Sequence, residues 1–346
     1  MRRGLMAWDR AEVPEGGLDE RLARLRARMR QDGLDAIVIY TNIARGAAVW
    51  WLTGFTPYWN EGLLYVPAQG EMLFATALSK RVAEWIGSVM PAGRVVTTPK
   101  PSALIGTELA GAGARCIGVL ELDDFPAGHA KAILEAVPKA ELIDATVAYA
   151  TARAGADDIE RRLLATADGL ARDACAAVDR ETDDTRAAMA PCENVARLGG
   201  AEECFVVAAE DLAASRATVR SDRMGTLGAT FAARVSLAYK GAWSRHMRSF
   251  ARDAQVQTLF DIAHERLLAF RHDGERALPE AIARHFGDLG TLVDFVVEQP
   301  RGSYPLAAVA NKAGTAEGFD PTASFVLEVE LNLEGTRFVG ACLTGL

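Results

Sequence analysis

Arg21-Leu22-Ala23-Arg24-Leu25-Arg26-Ala27-Arg28-Met29-Arg30-Gln31-Asp32-Gly33-Leu34-Asp35-Ala36-Ile37-Val38-Ile39-Tyr40 changes its hydrophobic period part-way along. Leu22, Leu25 and Met29, with Leu18 before them, recur every three or four residues among arginines and acids, the signature of an amphipathic helix over 18–30. Gly33 ends that helix. Ala36 to Tyr40 is short, apolar and β-branched, so it reads as a buried strand. A helix running directly into a buried strand is the beginning of an α/β domain.

Outward from that unit, strand-like runs fall at 62–66, 71–75, 95–98 and 116–120, and helical ones at 79–89 and 127–136. This alternation predicts an α/β domain with a mixed sheet over residues 1–150. The Ala- and Gly-rich region 147–158 marks a domain boundary, and a long helix follows from Asp158 to about Val178. Residues 151–346 then carry strand patterns at 203–208, 228–239, 292–298 and 325–333, with helices near 259–270 and 279–286. That mixture predicts an α+β second domain.

The bulk composition agrees. A chain of 346 residues exceeds the roughly 250–300 at which single cores stop growing. Half of the residues are apolar and 24% charged, as in soluble globular proteins. A net charge of −8 lacks the basic footprint of a general nucleic-acid binder. No run approaches the roughly 18 apolar residues of a membrane span, and the first nine residues lack the apolar core of a secretory signal. The five scattered cysteines form no C-x-x-C pair, and predict reduced thiols in a cytoplasmic protein.

Several motifs occur in a telling order. Gly33-Leu34-Asp35-Ala36 precedes Trp51-Leu52-Thr53-Gly54-Phe55, then come Arg153 and Asp157-Asp158-Ile159-Glu160. Tyr239-Lys240-Gly241 is followed by Arg248-Ser249-Phe250, and Val326-Leu327-Glu328 by Arg337-Phe338-Val339. In this order they resemble the creatinase, prolidase and aminopeptidase P family. The resemblance implies a creatinase-like α/β domain, then a pita-bread domain, in a homodimer.

Peptidases of that family hold two divalent ions with two aspartates, a histidine and two glutamates, because convergent carboxylates must neutralise two hard cations that activate a shared water. Anchored on Tyr239-Lys240-Gly241, the resemblance puts Arg234 and Arg245 at the aspartate positions, and a guanidinium offers no lone pair to a metal. The histidine position falls near Gly290, with His285 the nearest histidine, on a predicted helix. The glutamate positions fall on Glu328, with Glu330 its same-face neighbour, and on Val339. A site of about −4 thereby becomes one of about +1, so no metal and no cofactor are expected. Creatinase works without metal through a histidine, but the matching stretch Ser215-Arg216-Ala217-Thr218-Val219-Arg220 contains none.

The expected pocket contains Arg234, Arg245, Arg216 and Glu330 as binding residues for a small anionic ligand, with Glu328 and His246 as the catalytic pair. Two points stay open. Strand alternation sends His246 to the face opposite Arg245, and the arginines have a second use as partners of Glu328 or Glu330 in place of metal. Trp50, Trp51, Tyr58 and Trp59 are read as core and dimer-interface packing, with a ligand lid as the other use. His129, His264 and His272 are read as surface or helix residues, and Asp123-Asp124 and Asp183-Asp184 as solvated turns. The expected function is a metal-independent hydrolase or lyase acting on a C–N bond of a small anionic or amide metabolite. The alternative is a noncatalytic pseudopeptidase that binds a ligand, and an active Xaa-Pro metallopeptidase would need a different register at four positions. Neither nucleic acid nor membrane is an expected partner.

Overall fold

A computed structural model describes residues 11–55, 61–90, 92–154, 157–214, 219–220, 225–272, 277–317 and 319–345. The chain forms two compact units. One consists of the chain up to Ala154 together with Pro300–Ala307, and the other of Gly155–Gln299 with Ala308–Leu346.

The first unit runs α1 (Glu15–Gln31), β1 (Ala36–Thr41), α2 (Ala47–Thr53), β2 (Gly62–Pro67), β3 (Leu73–Thr76), α3 (Lys80–Val89), β4 (Arg94–Thr97), α4 (Pro101–Gly111), β5 (Cys116–Val119), α5 (Ala127–Ala136), β6 (Glu141–Asp144) and α6 (Thr146–Arg153). Its sheet has the order β4-β3-β2-β1-β5-β6. β1 pairs antiparallel with β2 and parallel with β5, so the sheet is mixed. All six residues of β1 are buried, which explains an unbroken apolar run where a half-exposed strand would alternate.

α2 was not foreseen. Its sequence, Ala47-Ala48-Val49-Trp50-Trp51-Leu52-Thr53, is buried throughout and therefore shows no polar face to reveal a helical period. Gly54, at φ 70°, closes it in the left-handed conformation. Trp50 is 2% exposed and Trp51 wholly buried, and Trp51 meets the Tyr149 ring edge-on at 5.4 Å. Both are core, leaving neither free to act as a lid. Tyr58 and Trp59 lie outside the described residues.

The second unit runs α7 (Asp158–Ala176), α8 (Thr185–Leu198), β7 (Glu203–Ala209), β8 (Val219–Arg220), β9 (Thr230–Tyr239), β10 (Ala242–Ala251), α9 (Ala254–Leu268), α10 (Leu278–Phe286), β11 (Thr291–Gln299), β12 (Ala307–Asn311), β13 (Gly314–Thr315), β14 (Phe325–Leu333) and β15 (Thr336–Thr344). The strands form one sheet in the order β13-β12-β11-β14-β15-β10-β9-β7-β8. Cys204, Val206, Phe231, Ala233, Val235, Leu237 and Phe250 point to one face and build a core with Ala171, Cys175, Met189 and Cys192 of α7 and α8. Residues of the other parity point to the opposite face. Asp183 and Asp184 are more than solvated turns: Asp184 accepts from Ala187 N at the start of α8, and Asp183 pairs with Arg252 at 2.5 Å. Among the described residues no helix is long and apolar enough to cross a membrane.

Candidate functional site

The site lies on the sheet face turned away from α7 and α8. Arg245 stands opposite Ser236, and Arg234 opposite Met247, across the β9–β10 hairpin. Met247 pairs with Ala341, Ala341 with Glu328, and Glu328 with Val296, while Glu330 pairs with Val339. Residues directly across a ladder share a face, so Arg234, Arg245, Glu328, Glu330 and Glu298 all project the same way.

Their contacts are specific. Arg245 donates through Nε to Ser236 Oγ at 3.0 Å and through Nη1 to Glu298 Oε2. Arg337 Nε meets Glu330 Oε1 at 2.9 Å. Arg234 Nη1 comes within 3.8 Å of Glu328 Oε2, a charge contact too long for a hydrogen bond. The Arg234 Nε is buried and has no hydrogen-bond partner among the described residues. Burial lowers the Arg234 pKa, and the like charge of Arg245 adds to that. Burial also holds the Glu328 carboxyl above its ordinary range, against the pull of Arg234 and Arg245. The two side chains thus face each other with unused hydrogen-bonding capacity on each.

The structure does not bring His246 to this cluster. It lies on the helix-covered face, 1% exposed, with its Nε2 3.2 Å from His264 Nε2 on α9. His264 is buried at 4%, not a surface residue, and both Nδ1 atoms are buried without partners among the described residues. Nearby, Arg248 pairs with Asp261 at 2.9 Å and Ser244 donates to Asp168 at 3.2 Å. His285 is a packing residue: its Nε2 meets Arg266 O at 2.8 Å and its ring lies against Phe270 and Phe286. His129 sits on α5 with Nδ1 2.5 Å from Ser102 Oγ. Arg216 lies outside the described residues.

Comparison with known proteins gives this geometry a context. The sequence profile of the Creatinase/Prolidase N-terminal domain matches residues 21–154. The first unit is a creatinase/prolidase N-terminal domain. A comparison with curated proteins finds no match. Among solved structures, the Xaa-Pro dipeptidase of Bacillus anthracis superposes with a TM-score of 0.68 at 16% identity, over 94% of this chain and 93% of that one. The prolidase of Pyrococcus horikoshii gives 0.69 at 12% identity, over 94% and 96%. The His350Ala variant of Escherichia coli aminopeptidase P gives 0.65 at 13%, over 94% and 92%. At such identities the shared property is the fold: a creatinase-like α/β first unit and a pita-bread second unit.

Within that fold the residues present do not fit a pair of hard cations. Arg234 and Arg245 are permanent cations at positions where the family resemblance expects aspartates, and Val339, opposite Glu330, has no donor atom. The remaining carboxylates are matched to guanidinium groups: Glu298 to Arg245, Glu328 to Arg234 and Glu330 to Arg337. Among the described residues no three His, Cys, Asp or Glu side chains gather as a metal set.

Around the aligned positions, whose formal charge stays at about +1, the cluster holds further charges. Glu298, which the sequence reading did not single out, joins it from β11, and Arg337 and Glu330 add a further pair. Three arginines then face three glutamates, with Asp294 of β11 opposite Glu330 on the same face. The signal for Glu298 was present in the alternation Asp294, Val296, Glu298, which the register places opposite Glu330, Glu328 and Val326.

Proposed function

We propose that this protein is a metal-independent enzyme of the prolidase and aminopeptidase P fold, acting on a C–N bond of a small carboxylate- or amide-bearing metabolite. The observation that carries the reading is the pair Arg234 and Glu328: a half-buried guanidinium whose Nε has no partner among the described residues, 3.8 Å from a carboxyl held above its usual range. Arg234 grips the anionic group of the ligand through the exposed part of its guanidinium. Glu328, with its pKa moved toward working pH, carries the proton to or from the leaving nitrogen. Arg245, already held by Ser236 and Glu298, fixes the floor of the pocket and supplies charge without being consumed by the ligand. The protein is proposed to work as a homodimer, which light scattering checks.

A noncatalytic binding role is the second reading, favoured by the position of His246 behind the sheet, which leaves Glu328 as the one proposed proton carrier. The test separates the two. Chelator-treated protein is screened by thermal shift against acetate, phosphate, guanidino compounds, Mn²⁺ and Co²⁺, then by turnover of amide and guanidino substrates. A ligand at about 100 times its Kd adds about 2.7 kcal/mol of stability. Carboxylate binding that is lost in Arg234→Gln, with turnover falling about 10²–10⁴-fold in Glu328→Gln, is the expected result. Binding with no turnover selects the second reading. Stabilisation by Mn²⁺ or Co²⁺ that Glu328→Gln abolishes overturns the metal-independent proposal.

A further inference from the structure

Phe205 and Trp243 form a stacked pair on the same sheet face as the arginine–glutamate cluster. Their ring centroids are 5.9 Å apart and their planes 14° from parallel. Phe205 is opposite Ser236, which is opposite Arg245, and Trp243 is opposite Ala238 on the adjoining rung. Phe205 is therefore a diagonal neighbour of Arg234, whose own partner on β7 is Val207. Diagonal neighbours lie about 7–8 Å apart, and two strand spacings separate Phe205 from Arg245 by about 10 Å.

The pair is not part of the apolar core. Its neighbours along the strand, Cys204 and Val206, point into the core on the helix-covered face, and parity turns Phe205 outward. Phe205 is 41% exposed, on the face that also carries the pair Arg245 and Glu298. A single exposed aromatic would need no explanation. Two stacked rings ending a short row from a hydrogen-bond-deficient guanidinium form a flat apolar platform beside an anion anchor.

Building on the proposed function, we infer that the ligand of this site carries a planar apolar body joined to its carboxylate, as in an aryl or arylalkyl carboxylate. The carboxylate meets Arg234 and the ring extends along the strand rungs onto Phe205 and Trp243. A ring with a one-carbon linker spans about the diagonal distance, whereas acetate or phosphate engages the arginine alone. Stacking on an aromatic platform contributes about 0.5–1.5 kcal/mol beyond buried area, so the platform sets selectivity while Arg234 sets anion recognition.

The test is an NMR titration of the full-length protein with acetate, inorganic phosphate, cyclohexanecarboxylate, benzoate and phenylacetate. Benzoate or phenylacetate is expected to bind at least about tenfold more tightly than acetate, with transfer of saturation from Trp243 to the ligand ring. Trp243→Ala and Phe205→Ala, each checked for native circular dichroism, should bring the aryl carboxylates to within about threefold of acetate and leave acetate binding unchanged. Arg234→Gln should weaken all carboxylates together. Equal affinity for acetate and benzoate overturns this inference while the anion site stands. An aryl preference that survives both aromatic substitutions also overturns it. Absence of binding by any carboxylate overturns the anion site itself, and this inference with it.

Discussion

Glu202 and His264 respond to pH in opposite senses. Glu202 accepts from Lys240 N at 2.7 Å and Gly241 N at 3.0 Å, closing the β9–β10 turn in which both residues have positive φ. Burial raises its pKa to about 7, outweighing those two hydrogen bonds. Burial lowers that of His264 to about 4; Arg248 and Arg172 push the same way, while Asp261 opposes them. Between pH 4.5 and 7 the folded state holds an extra proton on Glu202, so that contribution to stability falls as pH rises. Between pH 4 and 6.5 the folded state lacks a proton on His264, so that contribution is lost as pH falls. In the shared window the Glu202 slope opposes that of His264, to which His246, also pushed well below its ordinary value by burial, adds. Glu202→Gln should expose the histidine slope, with stability dropping by at least about 2 kcal/mol from pH 6.5 to 4.5, and His264→Gln should make that loss smaller than in the wild type. Urea midpoints at both pH values for the wild type and the two variants check this; parallel curves would refute it. At this scale the site was only partly legible. Arg234, Arg245 and Glu328 could be located because the family motifs fix their places along the chain, and Arg234 and Arg245 share one short hairpin. Glu298 showed its alternation but lay in no family motif, and nothing local pairs its strand with β14.

At the scale of elements, recognition followed the clarity of the hydrophobic period. β14 alternates and was placed at residues 325–333, where the structure has it. α9 starts at Ala254, although the sequence reading began it near 259, because Ala254-Gln255-Val256-Gln257-Thr258 has no apolar period. The missed clue was Asp253, whose carboxylate accepts from Gln255 N at 2.9 Å and Val256 N at 3.0 Å. α8 was hidden differently, by Pro191 inside an alanine-rich helix. Asp253→Ala should cost about 1 kcal/mol, seen as a lower thermal midpoint, while Asp253→Asn should retain most of the stability. Because α9 carries His264 and Asp261 against β10, faster hydrogen exchange in the first turn of α9 should accompany the loss. Unchanged exchange there would mean the cap is not what sets the start of the helix.

At the scale of the whole molecule, the compact units do not follow the simple order of the chain. Pro300–Ala307 belongs with the first unit although it lies between strands of the second. No composition signal marks this return, because its attachment depends on a few polar contacts rather than on apolar periodicity. Ser303 donates from N to Glu121 Oε1 at 2.8 Å and from Oγ to Glu121 Oε2 at 2.7 Å. Its carbonyl accepts from Ala47 N at 3.0 Å, at the start of α2. Glu121 in turn pairs with Arg45 at 3.1 Å, where the arginine side chain is only 7% exposed. A Cβ on Gly302 would collide with Glu121 Oε1, so the close approach requires glycine there. Glu121→Gln leaves a nearly buried guanidinium without its counter-charge, which costs about 3 kcal/mol. Ser303→Ala removes one hydroxyl bond and should cost about 1 kcal/mol. Hydrogen exchange distinguishes this anchoring from a general loss of stability. Amides of α2 and β1 should lose protection in Glu121→Gln, while those of β9 and β10 keep theirs. Equal loss in both units would mean that Glu121 supports the whole chain, and no loss in either would mean that the returning segment is not held by these contacts.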